Sequence, residues 1–135
     1  MASRALNDLT PQCQLKAEQF LHSCHKAGLD ILIYCTLRSS VEQDELYSHG
    51  RSKPGKIITN ARGGSSYHNY GMAFDWVPLV YGKPAWNDTA LYARCGLIAE
   101  GIGLEWAGRW TGKLREQAHC EYTEGKSIAE LKGIK

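Results

Sequence analysis

Between Thr10 and Gly28 the residues Cys13, Ala17, Phe20, Leu21, Cys24 and Ala27 recur at helical spacing, and the run Ile31-Leu32-Ile33-Tyr34-Cys35 then abandons that period. An apolar stripe on a helix must be covered by another element, and a short, partly β-branched apolar run is a buried strand. The start of this helix is signalled by Thr10 as N-cap and Pro11 at the first helical position, and Gly28 closes it. A helix feeding directly into a buried strand limits the chain to folds that layer helices on a sheet.

The rest of the sequence continues the mixture. Ser39 with Glu42, or Ser40 with Gln43, matches a capping box and opens a helix through about Tyr47. From Gly50 to Gly71 the chain is rich in Gly, Ser, Lys and Asn and reads as a long surface loop, which in a compact domain is more often functional than idle. Ala73–Val77 is a second strand, expected to stop at Pro78, and Tyr81-Gly82-Lys83-Pro84 is a turn. Asp88 or Thr89 caps a helix with apolar positions Leu91, Cys95, Ile98 and Ile102. Leu104-Glu105-Trp106 and His119-Cys120-Glu121-Tyr122 read as short strands, and Ser127 caps a last helical turn ending near Lys132. The expected fold is α+β, a small antiparallel sheet with flanking helices packed on one side.

With 135 residues, no repeats and no linker, the chain is expected to form one domain spanning 1–135. The net charge of +2 comes from scattered basic residues with no Lys/Arg block, so no nucleic-acid partner is expected. Five cysteines, odd in number and without a C-x-x-C pair, argue for reduced thiols and against a disulfide framework. Met1-Ala2-Ser3-Arg4 leads into no apolar h-region, so no signal peptide is expected, and no stretch approaches the length of a membrane span.

The segment Ser65–Asp75 is the richest in chemistry. His68 and Asp75 stand seven residues apart, and in one unbroken strand that odd spacing would put them on opposite faces. Convergence requires a turn between them, which Gly71 has the backbone freedom to supply. Downstream, Glu116 precedes His119 by three residues. Two imidazoles, a ligating carboxylate, a free carboxylate and an open fourth position make up a catalytic zinc site and not a structural one.

The string Ser66-x-His68-x-x-Gly71-x-Ala73-x-Asp75, followed by Glu116-x-x-His119, resembles the D-Ala-D-Ala metallopeptidase and L-alanyl-D-glutamate endopeptidase family. The likeness runs from about Leu9 to Tyr122 and includes Thr36-Leu37-Arg38-Ser39, Gln43, Gly50-Arg51, Gly103-Leu104-Glu105-Trp106 and Trp110. It implies one Zn2+ per chain, in an open groove, held by His68, Asp75 and His119. Glu116 is implied as the general base, and Arg38 as a contact to a substrate carboxylate or the developing oxyanion. Ser66 and Trp106 are expected to bind substrate, with Trp106 and Trp110 at the cleft. The implied substrate is a peptidoglycan stem peptide. The implied setting is a monomeric phage endolysin cleaving between L-Ala and D-Glu after holin-dependent release. A D-Ala-D-Ala carboxypeptidase and a non-catalytic zinc-stabilised wall-binding module are the alternatives, and an intact Glu116 argues against the latter. The chain departs from the common pattern in having Glu at 116 where many relatives carry Asp, Ala118 before the last ligand and Cys120 after it. Cys120 should point away from the metal, since neighbouring strand residues face opposite ways.

Overall fold

In the computed structural model residues 2–112 and 115–133 are described, so the expected domain bounds at Met1 and Lys135 lie outside the described residues. Helix α1 (Pro11–Lys26) begins as expected, with the Thr10 hydroxyl accepting from the Cys13 amide. Strand β1 (Asp30–Cys35) follows, then α2 (Ser40–Ser48), whose capping box is the Ser39/Glu42 pair. The long loop holds a 3-10 turn, Tyr67–Tyr70, before β2 (Ala73–Val80). A two-residue strand β3 (Lys83–Pro84), helix α3 (Thr89–Gly101) capped by Asp88, strands β4 (Glu105–Trp106) and β5 (His119–Glu121), and a short α4 (Ile128–Leu131) complete the order.

The sheet is antiparallel throughout, in the order β1-β2-β5-β4, with β3 paired to the far end of β2. The fold class is therefore α+β, as expected. Boundaries differ in places: Lys83–Pro84 of the expected turn pair as β3, Leu104 and Tyr122 fall outside β4 and β5, and β2 continues through Pro78 to Val80. The Pro78 carbonyl accepts from Ala85. The missing N–H of Pro78 therefore faces the interval between β5 and β3, where the ladder needs no donor, and not β1. Tyr81 and Gly82, both at positive φ, then reverse the chain into β3.

Phe74 and Trp76 of β2 face α1 and α3, with Phe20 edge-on to Trp76 at 5.1 Å and Tyr92 at 5.1 Å from it. Cys13, Ala17, Cys24, Cys95, Ala99 and Cys120 fill the same core. The period of two along β2 sends Asp75 to the other face. Register then decides its neighbours: Cys35 of β1 on one side and His119 of β5 on the other are both paired with Asp75. This three-strand row is the floor of the site.

Candidate metal centre

His68 reaches the row from outside the sheet. Gly71, at φ 69°, ends the 3-10 turn in the left-handed region and swings the chain into β2, which is the turn that the spacing demanded. The turn is stitched to the end of β1. The Arg38 amide donates to the His68 carbonyl at 3.0 Å, and the Asn69 side chain donates to the Arg38 carbonyl at 2.9 Å. Ser66 caps the turn, its hydroxyl accepting from the His68 amide.

The two imidazoles converge on one oxygen. His68 Nε2 lies 3.1 Å and His119 Nδ1 3.4 Å from Asp75 Oδ1. Each ring is held by its other nitrogen. His68 Nδ1 donates to the Thr36 carbonyl at 2.9 Å, and His119 Nε2 donates to Glu121 Oε1 at 2.9 Å. An imidazole whose one nitrogen is tied to an acceptor presents the lone pair of the other, which is how metal-ligating histidines are oriented. Three lone-pair atoms facing each other repel unless protons or a cation lie between them. Donors about 2.0–2.2 Å from a tetrahedral zinc stand about 3.4 Å apart, so the two separations to Asp75 fit that ion.

The electrostatics agree. Burial works against the imidazolium of His68, but the Asp75 carboxylate outweighs it and raises the group to about 10. Burial likewise opposes charge on His119, yet hydrogen bonds to Asp75 and Glu121 raise it to about 9. Burial also opposes ionisation of Asp75, and His68 foremost holds it well below the usual carboxylate range. The pocket is built to keep a buried carboxylate charged against positive charge at the two ring nitrogens.

Cys35 is a further donor: its sulfur, a His68 nitrogen and an Asp75 oxygen lie within 4.8 Å of one another. Its sulfur is 4.0 Å from His68 Nδ1, the nitrogen already given to Thr36, and accepts from the Arg38 guanidinium at 3.4 Å. A cation there would meet that guanidinium, so His119 completes the donor set better than Cys35.

Glu116 stands at the rim, 64% exposed, its Oε2 4.0 Å from His119 Nδ1. It opens onto a groove of about 490 Å³ whose walls include Ser66, Tyr67, Trp110, Arg115 and Glu121. Trp110 approaches the His119 ring at 5.9 Å. Trp106, expected at the cleft, sits in the core instead. It is paired with Cys120 and so takes the face opposite His119, with Nε1 donating to the Gln117 carbonyl. Arg38 is near the centre but largely buried. It donates to Gln43 Oε1 at 2.8 Å and stands 3.5 Å from Asp75 Oδ2. Sequence reasoning singled out neither Glu121 nor Arg115. The signal for Glu121 is its place two residues after His119 on one strand, hence on one face.

A sheet floor carrying a His-Asp-His cluster beside a solvent-facing glutamate defines the class as a metal-dependent hydrolase fold. Residues 59–122 match the family model described as D-alanyl-D-alanine carboxypeptidase. The chain is 36% identical over 124 residues to the peptidoglycan L-alanyl-D-glutamate endopeptidase CwlK of Bacillus subtilis (strain 168), covering 85% of this chain and 74% of that one. The Serratia marcescens L-Ala D-Glu endopeptidase ChiX shares the fold with a TM-score of 0.67 at 20% identity, over 91% of this chain and 89% of that one. The vancomycin-resistance D,D-pentapeptidase VanY, solved with Zn(II), does so with a TM-score of 0.63 at 14% identity, over 91% and 83%. The chain belongs to the D-Ala-D-Ala metallopeptidase family and is a metallopeptidase.

Proposed function

We propose that this metallopeptidase hydrolyses peptidoglycan stem peptides at the bond between L-Ala and D-Glu, using one zinc held by His68, Asp75 and His119. The observation that carries the reading is the convergence of two oriented imidazoles on Asp75 Oδ1 at 3.1 and 3.4 Å, with Glu116 beside them. The choice of bond is supported by the 36% identity to a relative named for that cleavage.

Bound zinc supplies Lewis acidity, lowering the pKa of a water toward neutrality and polarising the scissile carbonyl. Glu116 Oε2 takes the proton of the attacking water and returns it to the leaving amine. Exposure suits that task, because a base at the rim can meet both water and leaving group. Glu121 and the Thr36 carbonyl keep the His119 and His68 rings aimed. Arg38 holds Asp75 Oδ2 and lends positive charge where the oxyanion develops. Ser66 and Trp110 line the substrate path.

A second reading, D-Ala-D-Ala carboxypeptidase, is favoured by the description of the matching family model. Mass spectrometry of purified peptidoglycan after digestion separates the two. New N-terminal D-Glu supports the endopeptidase, and released D-Ala with intact L-Ala–D-Glu bonds overturns it. We propose further that residues 1–135 act as one domain on the wall, after release from a phage-infected cell. Clearing of permeabilised but not intact cells is the expected result. No helix among the described residues is long and apolar enough to cross a membrane.

A further inference from the structure

The groove beside the cluster is acidic by composition: Glu116 and Glu121 both line it. Among the described residues lining it, Arg115 is the one Lys or Arg side chain. A stem peptide is itself anionic. Its D-Glu is linked onward through the side-chain γ-carboxyl, so the α-carboxylate is free and lies two bonds from the scissile nitrogen. His119 is already paired with Glu121 and given to the metal in the reading above, so beside the exposed Glu116 that group needs a cation of its own.

Arg38 cannot be that cation without leaving its place. Its side chain is 14% exposed, and its guanidinium is already engaged with Gln43, Cys35 and Asp75. Arg115 is differently placed. Its Nε donates to the Gly108 carbonyl at 2.9 Å, and the next residue, Glu116, donates its amide to the Ala107 carbonyl at 3.1 Å. Both bonds are accepted by a second 3-10 turn, Ala107–Arg109, packed so closely on the Trp106 ring that Gly108 has no room for a Cβ. Arg115 and Glu116 are thus fixed to one platform. The outer guanidinium nitrogens of Arg115 have no hydrogen bond or ion pair among the described residues, which leaves the fork free to take a carboxylate in bidentate fashion.

We infer that Arg115 is a specificity-determining residue that docks the free α-carboxylate of the D-Glu residue beside the scissile bond. The inference rests on the L-Ala–D-Glu endopeptidase reading above. The test compares two defined stem peptides differing in one group, D-Glu with a free α-carboxylate and D-isoglutamine with an α-carboxamide. Wild-type enzyme should favour the carboxylate peptide by about 10–100-fold in kcat/KM, mostly through KM, the size of one charge-assisted contact. Arg115→Gln should erase that preference by weakening the carboxylate peptide alone, leaving the carboxamide peptide within about threefold, and Arg115→Lys should restore part of it. Zinc content should be unchanged in both variants. Equal losses on the two peptides would mean that Arg115 only braces the turn, and unchanged kinetics would mean that it lies outside the substrate path; either overturns the inference while the peptidase reading stands. Wild-type enzyme that cuts neither peptide between L-Ala and D-Glu removes the endopeptidase reading and this inference with it.

Discussion

Replacing Glu116 by glutamine removes a basic oxygen and little else, because the side chain is exposed and at 4.0 Å is only loosely paired with His119. Glu116→Gln should therefore keep its zinc and its melting temperature while losing about two to four decades of kcat on a stem peptide. Wild-type turnover in that variant would remove Glu116 from the chemistry. Glu121 tests the layer behind the metal. Its Oε1 accepts from His119 Nε2, so Glu121→Gln can still accept that proton, whereas Glu121→Leu cannot. The expected result in a chelator competition is a zinc affinity about 10–100-fold weaker for Leu and near wild type for Gln. Equal affinities across the three proteins would make Glu121 a filler of space. His68, Asp75 and His119 were legible as donor types whose convergence required a turn at Gly71. Glu121 and Arg115 were not, since a Glu in a short strand and an Arg in a loop are ordinary until the sheet and the groove give them neighbours.

At the scale of elements, the decisive piece is the 3-10 turn Tyr67–Tyr70 with Gly71 at its end. A Cβ on Gly71 would sit 3.0 Å from the Asp8 carbonyl and 3.1 Å from the Thr10 amide nitrogen, at a φ that side chains avoid. Gly71→Ala should cost about 1–3 kcal/mol in denaturant unfolding, and it should loosen zinc binding too, since the same turn carries His68. A fully stable variant with intact metal affinity would show that the turn is more plastic than its contacts imply. The helix caps at Thr10 and Ser39 were readable because capping is a contact between near neighbours in sequence. The extension of β2 past Pro78 was not, because whether a proline breaks a ladder depends on which side its missing donor faces, and that is known only once β3 and β5 are in place.

The proposed zinc site would couple metal to the folding of the whole molecule. Since the cluster draws His68 from a loop and Asp75 and His119 from two strands, zinc bound there stabilises only the assembled state. At a free concentration a thousandfold above Kd the gain is about 4 kcal/mol, so EDTA should lower Tm by roughly 10–20 °C. His68→Ala protein should melt at one temperature with or without zinc; a persistent zinc response would place the ion elsewhere. All five cysteines are free and buried, as expected of reduced thiols acting as small hydrophobes, and burial pushes Cys13 up to about 12. Thiol reagents should label the native protein slowly and all five positions after denaturation; rapid native labelling of Cys13 would contradict the packing of α1 against the sheet. By itself the sequence determined the class of fold and most of its elements and offered a candidate donor set, because periodicity, caps and donor chemistry act over a few residues. Tertiary structure alone decided that Asp75 lies between Cys35 and His119, that Trp106 turns inward while Trp110 lines the groove, and that Arg38 is engaged with Asp75 where Arg115 faces the groove. The places of Asp75 and Trp106 follow from strand register, which joins residues far apart in the chain and assigns each strand side chain to one face or the other, and the loop residues take theirs from contacts with that sheet.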